Sequence, residues 1–360
     1  MTDIRSDLIA PSVRNLLLEC AEAKAGDRVL LVGEEGENPY FASDLCEAVA
    51  QVALRLGMVP EIVKTRPVAD ASAFPDVVRS AMEQADHTIF FSRLGDQVRF
   101  DLPDNKAKAV MTYTLNLDYL AAPFASVSFD VMKQIHDALL DMILASKTYH
   151  ISGPCGTDLI SEIKVGRTKA VSDFALKLFP LMIFPPVNCH KMNGILAIKN
   201  FVTSSSTRAY EDSVLVLDHP IMAKIADARI IDFEGPASLI ARLKSQLERA
   251  ASLTGGDPYL INSWHTGINP GTYYKGNPYA DLELWGTVSY GSPRYTHMHT
   301  AGIDPGDAAF HMMDMTIAFD HQLIWDEGRF VFLDMPEIQE LMTPQQRGLL
   351  NSLVRHDIGL

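Results

Sequence analysis

The chain has 360 residues, of which 47% are hydrophobic and 21% charged, and its formal net charge is -14. That length and apolar content imply a sizeable core divided between two domains. The acidic balance speaks against nucleic acid and anionic membranes as partners, since both need a basic face. No apolar run approaches the roughly 18 residues of a membrane span.

The N-terminal stretch "MTDIRSDLIAPSVRNLLLEC" is charged and broken by Pro11, with no apolar core of signal type. The four cysteines, Cys20, Cys46, Cys155 and Cys189, form no CxxC pair. Both features fit a reduced, cytoplasmic protein. Residues 12–25 have apolar positions at helical spacing, and "GDRVLLVGEE" then reads as a turn and a buried strand. Residues 40–57 form an amphipathic helix closed by Gly57. "MVPEIVKT", "HTIFFSR", "KAVMTYTL" and "TYHISGP" read as further strands. They are separated by the helical stretches "FPDVVRSAMEQAD" and "SVSFDVMKQIHDALLDMILASK". This alternation predicts a doubly wound parallel α/β domain over residues 1–150.

Residues 151–360 differ. "NGILAIKN" places an Asn-Gly turn before a short apolar run. Apart from the helix "SLIARLKSQLERAAS", short strands alternate with turn residues to the end. The pattern predicts a mainly antiparallel α+β domain.

Phosphate-binding loops are the first candidates in an α/β start. The turn after the first strand reads "VGEEGENPYFA", neither GxGxxG nor GxxxxGK[ST], and Glu34 and Glu35 would repel a phosphate there. No GxSxG is present, "TSSSTR" reads as a polar loop, and no cysteine sits where its thiol would be activated. Histidines are the stronger signal. His265, His297, His299, His311 and His321 crowd into the last hundred residues, among Asp304, Asp307, Asp314 and Asp320. Imidazole with carboxylate is the usual ligand set for iron, zinc or manganese. "THMHT" puts His297 and His299 on one face of a strand, whereas His311 and Asp314, three apart, converge only across a bulge or a helical turn.

The segments "AKAGDRVLLVG", "GPCGTDL", "NGILAI", "WHTGINPG" and "FHMMDMTI" occur in an order that resembles the aminopeptidase T type of metallo-aminopeptidase. They resemble more closely its oxygenase relatives, the 2,5-dihydroxypyridine 5,6-dioxygenases of nicotinate breakdown. The resemblance implies an aminopeptidase T-like fold of two domains with the site in the cleft between them. A peptidase of this kind holds two metals with glutamates among the ligands; here "FPPVNCHKMNG" offers none at one expected position. A dioxygenase holds one Fe(II) with two histidines and an aspartate, which the resemblance assigns to His265, His311 and Asp314. The "FHMMD" element has one residue more than the family pattern, so a bulge is expected at Met312 or Met313, with His297 or His299 as the replacement ligand if none forms. After the strand near residue 92 the dioxygenase places a histidine; here Arg93 and Gln97 stand there, and Arg93 can hold a substrate oxyanion by a forked contact.

The sequence therefore leads to a mononuclear Fe(II) ring-cleaving dioxygenase. Its partners would be O2 and a small hydroxylated N-heteroaromatic or phenolic ring, with Arg93 and His299 acting on the substrate. Trp264, Tyr273 and Tyr290 would wall the ring beside Gln97. A Zn- or Mn-dependent hydrolase of a cyclic amide or small peptide is the alternative. A metal-free binding protein is the third reading. The family resemblance also implies a homo-oligomer.

Overall fold

The run "RVLLVGE" forms strand β1 (Arg28–Glu34), buried from its second residue onward. Continuous burial is what a strand covered on both faces requires. A computed structural model describes residues 4–68, 73–99, 102, 108–163, 175–205, 213–302, 306–353 and 356–360. Strands β2 (Val59–Thr65), β3 (His87–Phe91) and β4 (Lys108–Thr112) follow, alternating with helices α1 (Ile4–Arg14), α2 (Leu45–Arg55), α3 (Asp76–Gln84) and α4 (Arg93–Gln97). Gly57, at φ +80°, closes the turn after α2 as expected. Helices α5 (Leu117–Ala121), α6 (Pro123–Ser126) and α7 (Phe129–Ala145) come next. The Ser128 hydroxyl caps α7 by accepting from the Val131 amide at 3.4 Å.

The run "TYHIS" is a strand, β5 (Thr148–Ser152), but it does not join the parallel sheet. It pairs antiparallel with β6 (Asp158–Glu162). The fifth parallel position is taken by β7 (Lys177–Phe179), beside β4. The parallel order is β2-β1-β3-β4-β7. Its direction reverses between β1 and β3, so their carboxyl ends, at Glu34 and Phe91, open on the crevice where folds of this order receive ligands.

The remaining strands are β8 (Val187–Asn188), β9 (His190–Ser204), β10 (Leu215–Ala226), β11 (Arg229–Glu234), β12 (Asp257–Thr266), β13 (Tyr295–Gly302), β14 (Ala308–Met313), β15 (Thr316–Phe319), β16 (Gln322–Asp326) and β17 (Arg329–Phe330). With β5 and β6 they form one large antiparallel sheet. Because β9 pairs with both β14 and β10, the strands β9-β10-β11-β12-β13-β14 close into a ring. Helix α8 (Ala237–Ser252) lies against β10, β12 and β13. Its Leu239, Leu243 and Leu247 share a core with Ile261, Met298 and Phe310. Helix α9 (Leu282–Ser289) precedes β13. No helix among the described residues is long and apolar enough to cross a membrane. All four cysteines are unpaired, and only Cys155 is exposed.

Asn193-Gly194 makes no turn. It lies inside the long strand β9, where Gly194 pairs with Leu159 on one side and Ile225 on the other. Gly194 has φ +133°, and a side chain there would overlap the Asp158 carbonyl. The glycine serves close strand approach, not reversal. Gly194→Ala is expected to destabilise the protein by about 3 kcal/mol or more, because strain and backbone overlap add. The urea midpoint measures it, and a midpoint equal to the wild type would refute this role.

Candidate metal centre

Three neighbouring strands bring histidines to one rung. His265 on β12 faces His297 on β13, which faces His311 on β14. Two residues along β13, His299 faces Ser263 on one side and Ala309 on the other. The period of two then puts Ser263, His265, Tyr295, His297, His299 and His311 on one face, and Trp264, Met298, Phe310 and Met312 on the other. The second set is fully or almost fully buried in core. Of the first set, Ser263 and the four histidines line a cavity, and Tyr295 is buried beside them.

His265, His297 and His299 come together closely enough that one nitrogen of each lies within 4.8 Å of the others. They are the only such group of histidine, cysteine or carboxylate ligands among the described residues. The ring centres of His265 and His297 are 3.9 Å apart, and those of His297 and His299 are 5.0 Å apart. All three are buried.

Their hydrogen bonds leave lone pairs for a ligand. His265 Nδ1 lies 3.1 Å from the Phe184 carbonyl oxygen. A carbonyl only accepts, so His265 carries its proton on Nδ1 and its Nε2 is a bare lone pair. That Nε2 is buried without a hydrogen-bond partner, as is Nδ1 of His297. His299 is bonded through Nδ1 to the Ser263 hydroxyl at 3.1 Å. A backbone carbonyl behind the ring, as at His265, is a usual support of a metal-ligating histidine. Burial lowers the His265 pKa from the usual 6.5 to about 4. Burial, then the neighbouring histidines, hold His297 and His299 well below the usual range. All three are therefore neutral near pH 7, the form that binds metals. Orphaned buried nitrogens and a neutral imidazole set fit one divalent ion.

His311 and Asp314 are placed differently from the expectation that both bind metal. Both nitrogens of His311 are engaged, Nδ1 with the Tyr295 hydroxyl and Nε2 with Thr203 Oγ1 at 2.9 Å. The Thr203 hydroxyl donates to the Ser204 carbonyl, so His311 Nε2–H donates to Thr203 and Nδ1 accepts from Tyr295. No bulge interrupts β14, which runs in even register with β13 as far as Met313. The chain then turns at Asp314, with φ +54°. The Asp314 carboxylate takes a forked contact from Arg294, at 2.8 and 3.0 Å, and is not part of the histidine cluster. The extra methionine is what carries the aspartate past the site. His321 and Asp320 lie in the turn between β15 and β16, where Asp320 accepts from the backbone of Lys147 and Thr148. Asp307 accepts from the Thr254 hydroxyl at 2.8 Å. Asp304, Asp101 and the end of "TSSSTR" lie outside the described residues.

Of the three aromatic residues expected around the ring, only Tyr290 lines the cavity. Its ring lies 4.8 Å from that of His297. Trp264 points the other way, into core against Tyr149 and Phe319, because it is one residue from His265 on the same strand. Tyr273 stacks on Tyr119 at 4.7 Å, away from the cavity.

The cavity, of about 1410 Å³, runs from the histidines to the carboxyl edge of the parallel sheet. Arg93 and Gln97 both line it. Arg93 is held by the buried Glu34, at 3.0 Å from Nε and 2.8 Å from an η nitrogen, and lies 3.9 Å over the Tyr40 ring. Its ion-pair partner is thus Glu34 on β1. The amide of Val68 donates to the Gln97 side chain at 3.0 Å. Sequence reasoning passed over Arg99, buried on the cavity wall and paired with Asp96 at 2.9 Å. Asp96 also accepts from the Tyr113 hydroxyl at 3.0 Å. It likewise passed over the Phe184 carbonyl, which lies in the very segment noted for lacking a glutamate.

Two outcomes follow from this geometry. Asp314→Asn should leave metal content unchanged, while loss of the half-buried ion pair costs on the order of 2 kcal/mol; metal loss in that variant would contradict the placement. The metal-free protein should lose stability as the pH falls. The unfolded chain takes up protons on these histidines below about 6.5, while folded His265 resists until about 4 and folded His311 until about 3. Stability is thus complete above the unfolded value and declines through that window. A melting temperature that stays level from pH 7 to pH 4 would exclude it.

No family model matches the chain, and no curated protein matches it either. Among solved structures it is similar to the 2,5-dihydroxypyridine dioxygenase from Pseudomonas putida KT2440, with 12% identity, TM-score 0.57, and 96% of this chain and 99% of the other covered. It is also similar to wild-type AmpT from Thermus thermophilus, with 10% identity, TM-score 0.51, and 90% and 99% covered. At such identities the likeness is one of fold, and the chain has the aminopeptidase T-like fold, a parallel sheet with helices joined to a large antiparallel sheet.

Proposed function

We propose that the protein is a mononuclear non-haem Fe(II) dioxygenase that opens a hydroxylated N-heteroaromatic or phenolic ring. The observation that supports it most is the convergence of His265, His297 and His299, neutral and buried, on one cavity wall. Three ligands on one side of an ion leave its other side for substrate and O2. No carboxylate joins the cluster among the described residues, so a second ion lacks the ligands that a two-metal hydrolase needs. The fold shared with a structure described as a 2,5-dihydroxypyridine dioxygenase agrees with this reading.

Bound Fe(II) would supply the one-electron chemistry through which O2 reacts with an electron-rich ring. The protein's own residues hold and shield the substrate. Tyr290 offers a ring face beside His297, and burial raises its hydroxyl pKa to about 12, so it stays a hydrogen-bond donor. Arg99 and Asp96 face the same space from the parallel-sheet side. A zinc-dependent hydrolase is the second reading, because three histidines are also a catalytic zinc set.

Protein purified without oxygen decides between them. About one iron per chain, with O2 uptake on a hydroxylated ring, is expected. His265→Ala should lose nearly all of the metal while lowering the melting temperature of the metal-free protein by only a few degrees, since the one protein hydrogen bond lost is that to the Phe184 carbonyl. Zinc in place of iron would favour the hydrolase, and full metal retention by His265→Ala would remove His265 from the site.

A further inference from the structure

The ligand set offers a metal ion no negative charge. Three neutral imidazoles leave both charges of a divalent ion uncompensated inside a protein cavity, and a buried net charge is costly until an anion meets it. Among the described residues no carboxylate joins the three imidazoles, and several acids of the surrounding structure are engaged elsewhere. Glu34 accepts from Arg93, Asp96 from Arg99 and the Tyr113 hydroxyl, and Asp314 from Arg294. Glu283, on the cavity wall, accepts from the Tyr40 hydroxyl at 3.4 Å. Arg99 is a cation that lines the same cavity as the three histidines. The Arg99 side chain is only 7% exposed and stands on the wall of the same cavity.

We propose, building on the single-metal reading above, that the site selects a ring bearing a hydroxyl next to a carboxylate. The hydroxyl and the carboxylate together bring the two negative charges that the histidines do not. On binding, the hydroxyl proton would leave to solvent, so that the substrate brings both negative charges to the side of the cavity where His265, His297 and His299 would hold the ion. The outer oxygen of the carboxylate is directed to Arg99, whose planar guanidinium suits a carboxylate. A neutral diol or a hydroxymethyl analogue of the same shape lacks the second charge and the Arg99 contact.

The protein loaded with Co(II) or Zn(II) tests this by binding alone, without turnover. The probes are 2-hydroxybenzoate and its neutral isostere 2-hydroxybenzyl alcohol, titrated calorimetrically. The carboxylate is expected to bind about 30-fold more tightly or better, because a buried charge pair separates the two. Arg99→Gln should weaken 2-hydroxybenzoate about tenfold or more and leave the alcohol unchanged, and Arg99→Lys should recover part of the loss. Where Arg99→Gln fails to fold with Asp96 left unpaired, the double variant Asp96→Asn/Arg99→Gln makes the same comparison. Equal affinities for the two probes, or a carboxylate affinity indifferent to Arg99, overturn the proposal while the metal reading stands. A wild-type protein that takes up neither ion overturns both.

Discussion

A slip of β13 by one residue against β12 would turn His297 and His299 into the core and put Met298 in the cavity, because side chains alternate strictly along a strand. The site therefore depends on the register of three strands. That register is held from both faces. On the core face, Met298 and Phe310 pack with the leucines of α8. At the strand margins, the Thr266 hydroxyl donates to the Tyr295 carbonyl at 2.6 Å, and the Thr300 hydroxyl donates to the Leu260 carbonyl at 2.8 Å. The short strand β8 pairs with β12 at Ser263 and Trp264, and the same segment supplies the Phe184 carbonyl behind His265. Burial of an apolar face thus fixes where the imidazoles of the opposite face stand.

Charge is distributed with equal consequence. Glu34 and Asp96 are matched to Arg93 and Arg99, and the cluster itself contains imidazole alone. The crevice at the reversal of the parallel sheet, where such folds commonly receive a ligand, is occupied at its edge by Glu34 and Arg93. Glu34 accepts from the Arg93 amide, the Arg93 guanidinium and the Tyr40 amide, so the loop after β1 is tied to the start of α4. An acid at that turn excludes a phosphate, yet it fixes one wall of the cavity that the histidines complete from the other side.

His311 shares the rung of the histidine cluster without joining it. It stands on the same rung as His265 and His297, but Tyr295 and Thr203 take both its nitrogens. The Tyr295 ring lies nearly parallel to His297 at 5.5 Å and to His311 at 5.6 Å. The network thereby limits how the His297 ring can tilt, and it does so with every polar atom of His311 satisfied, the condition under which buried polar groups are tolerated.

Much of this was legible in the sequence. Continuous apolar runs alternating with helical periodicity gave the parallel sheet, and "THMHT" by its spacing put His297 and His299 on one face, since both features are local. His265 was marked by its "H-x-G-x-NP" setting. What the sequence did not contain was pairing. Whether "TYHIS" extends the parallel sheet or the antiparallel one depends on which distant edge is open. Whether Asn193-Gly194 turns or passes closely beside Asp158 depends on a strand more than thirty residues away. Which histidines cluster depended on pairing as well. His311 and Asp314 have the residue types of a metal site, but an even β14 register delivers one to Tyr295 and the other to Arg294, while His297 and His299 take the place beside His265. Residue type and period fix which side chains share a face; only long-range strand register decides which faces meet, because the hydrogen-bond ladder that sets it joins residues far apart in the chain.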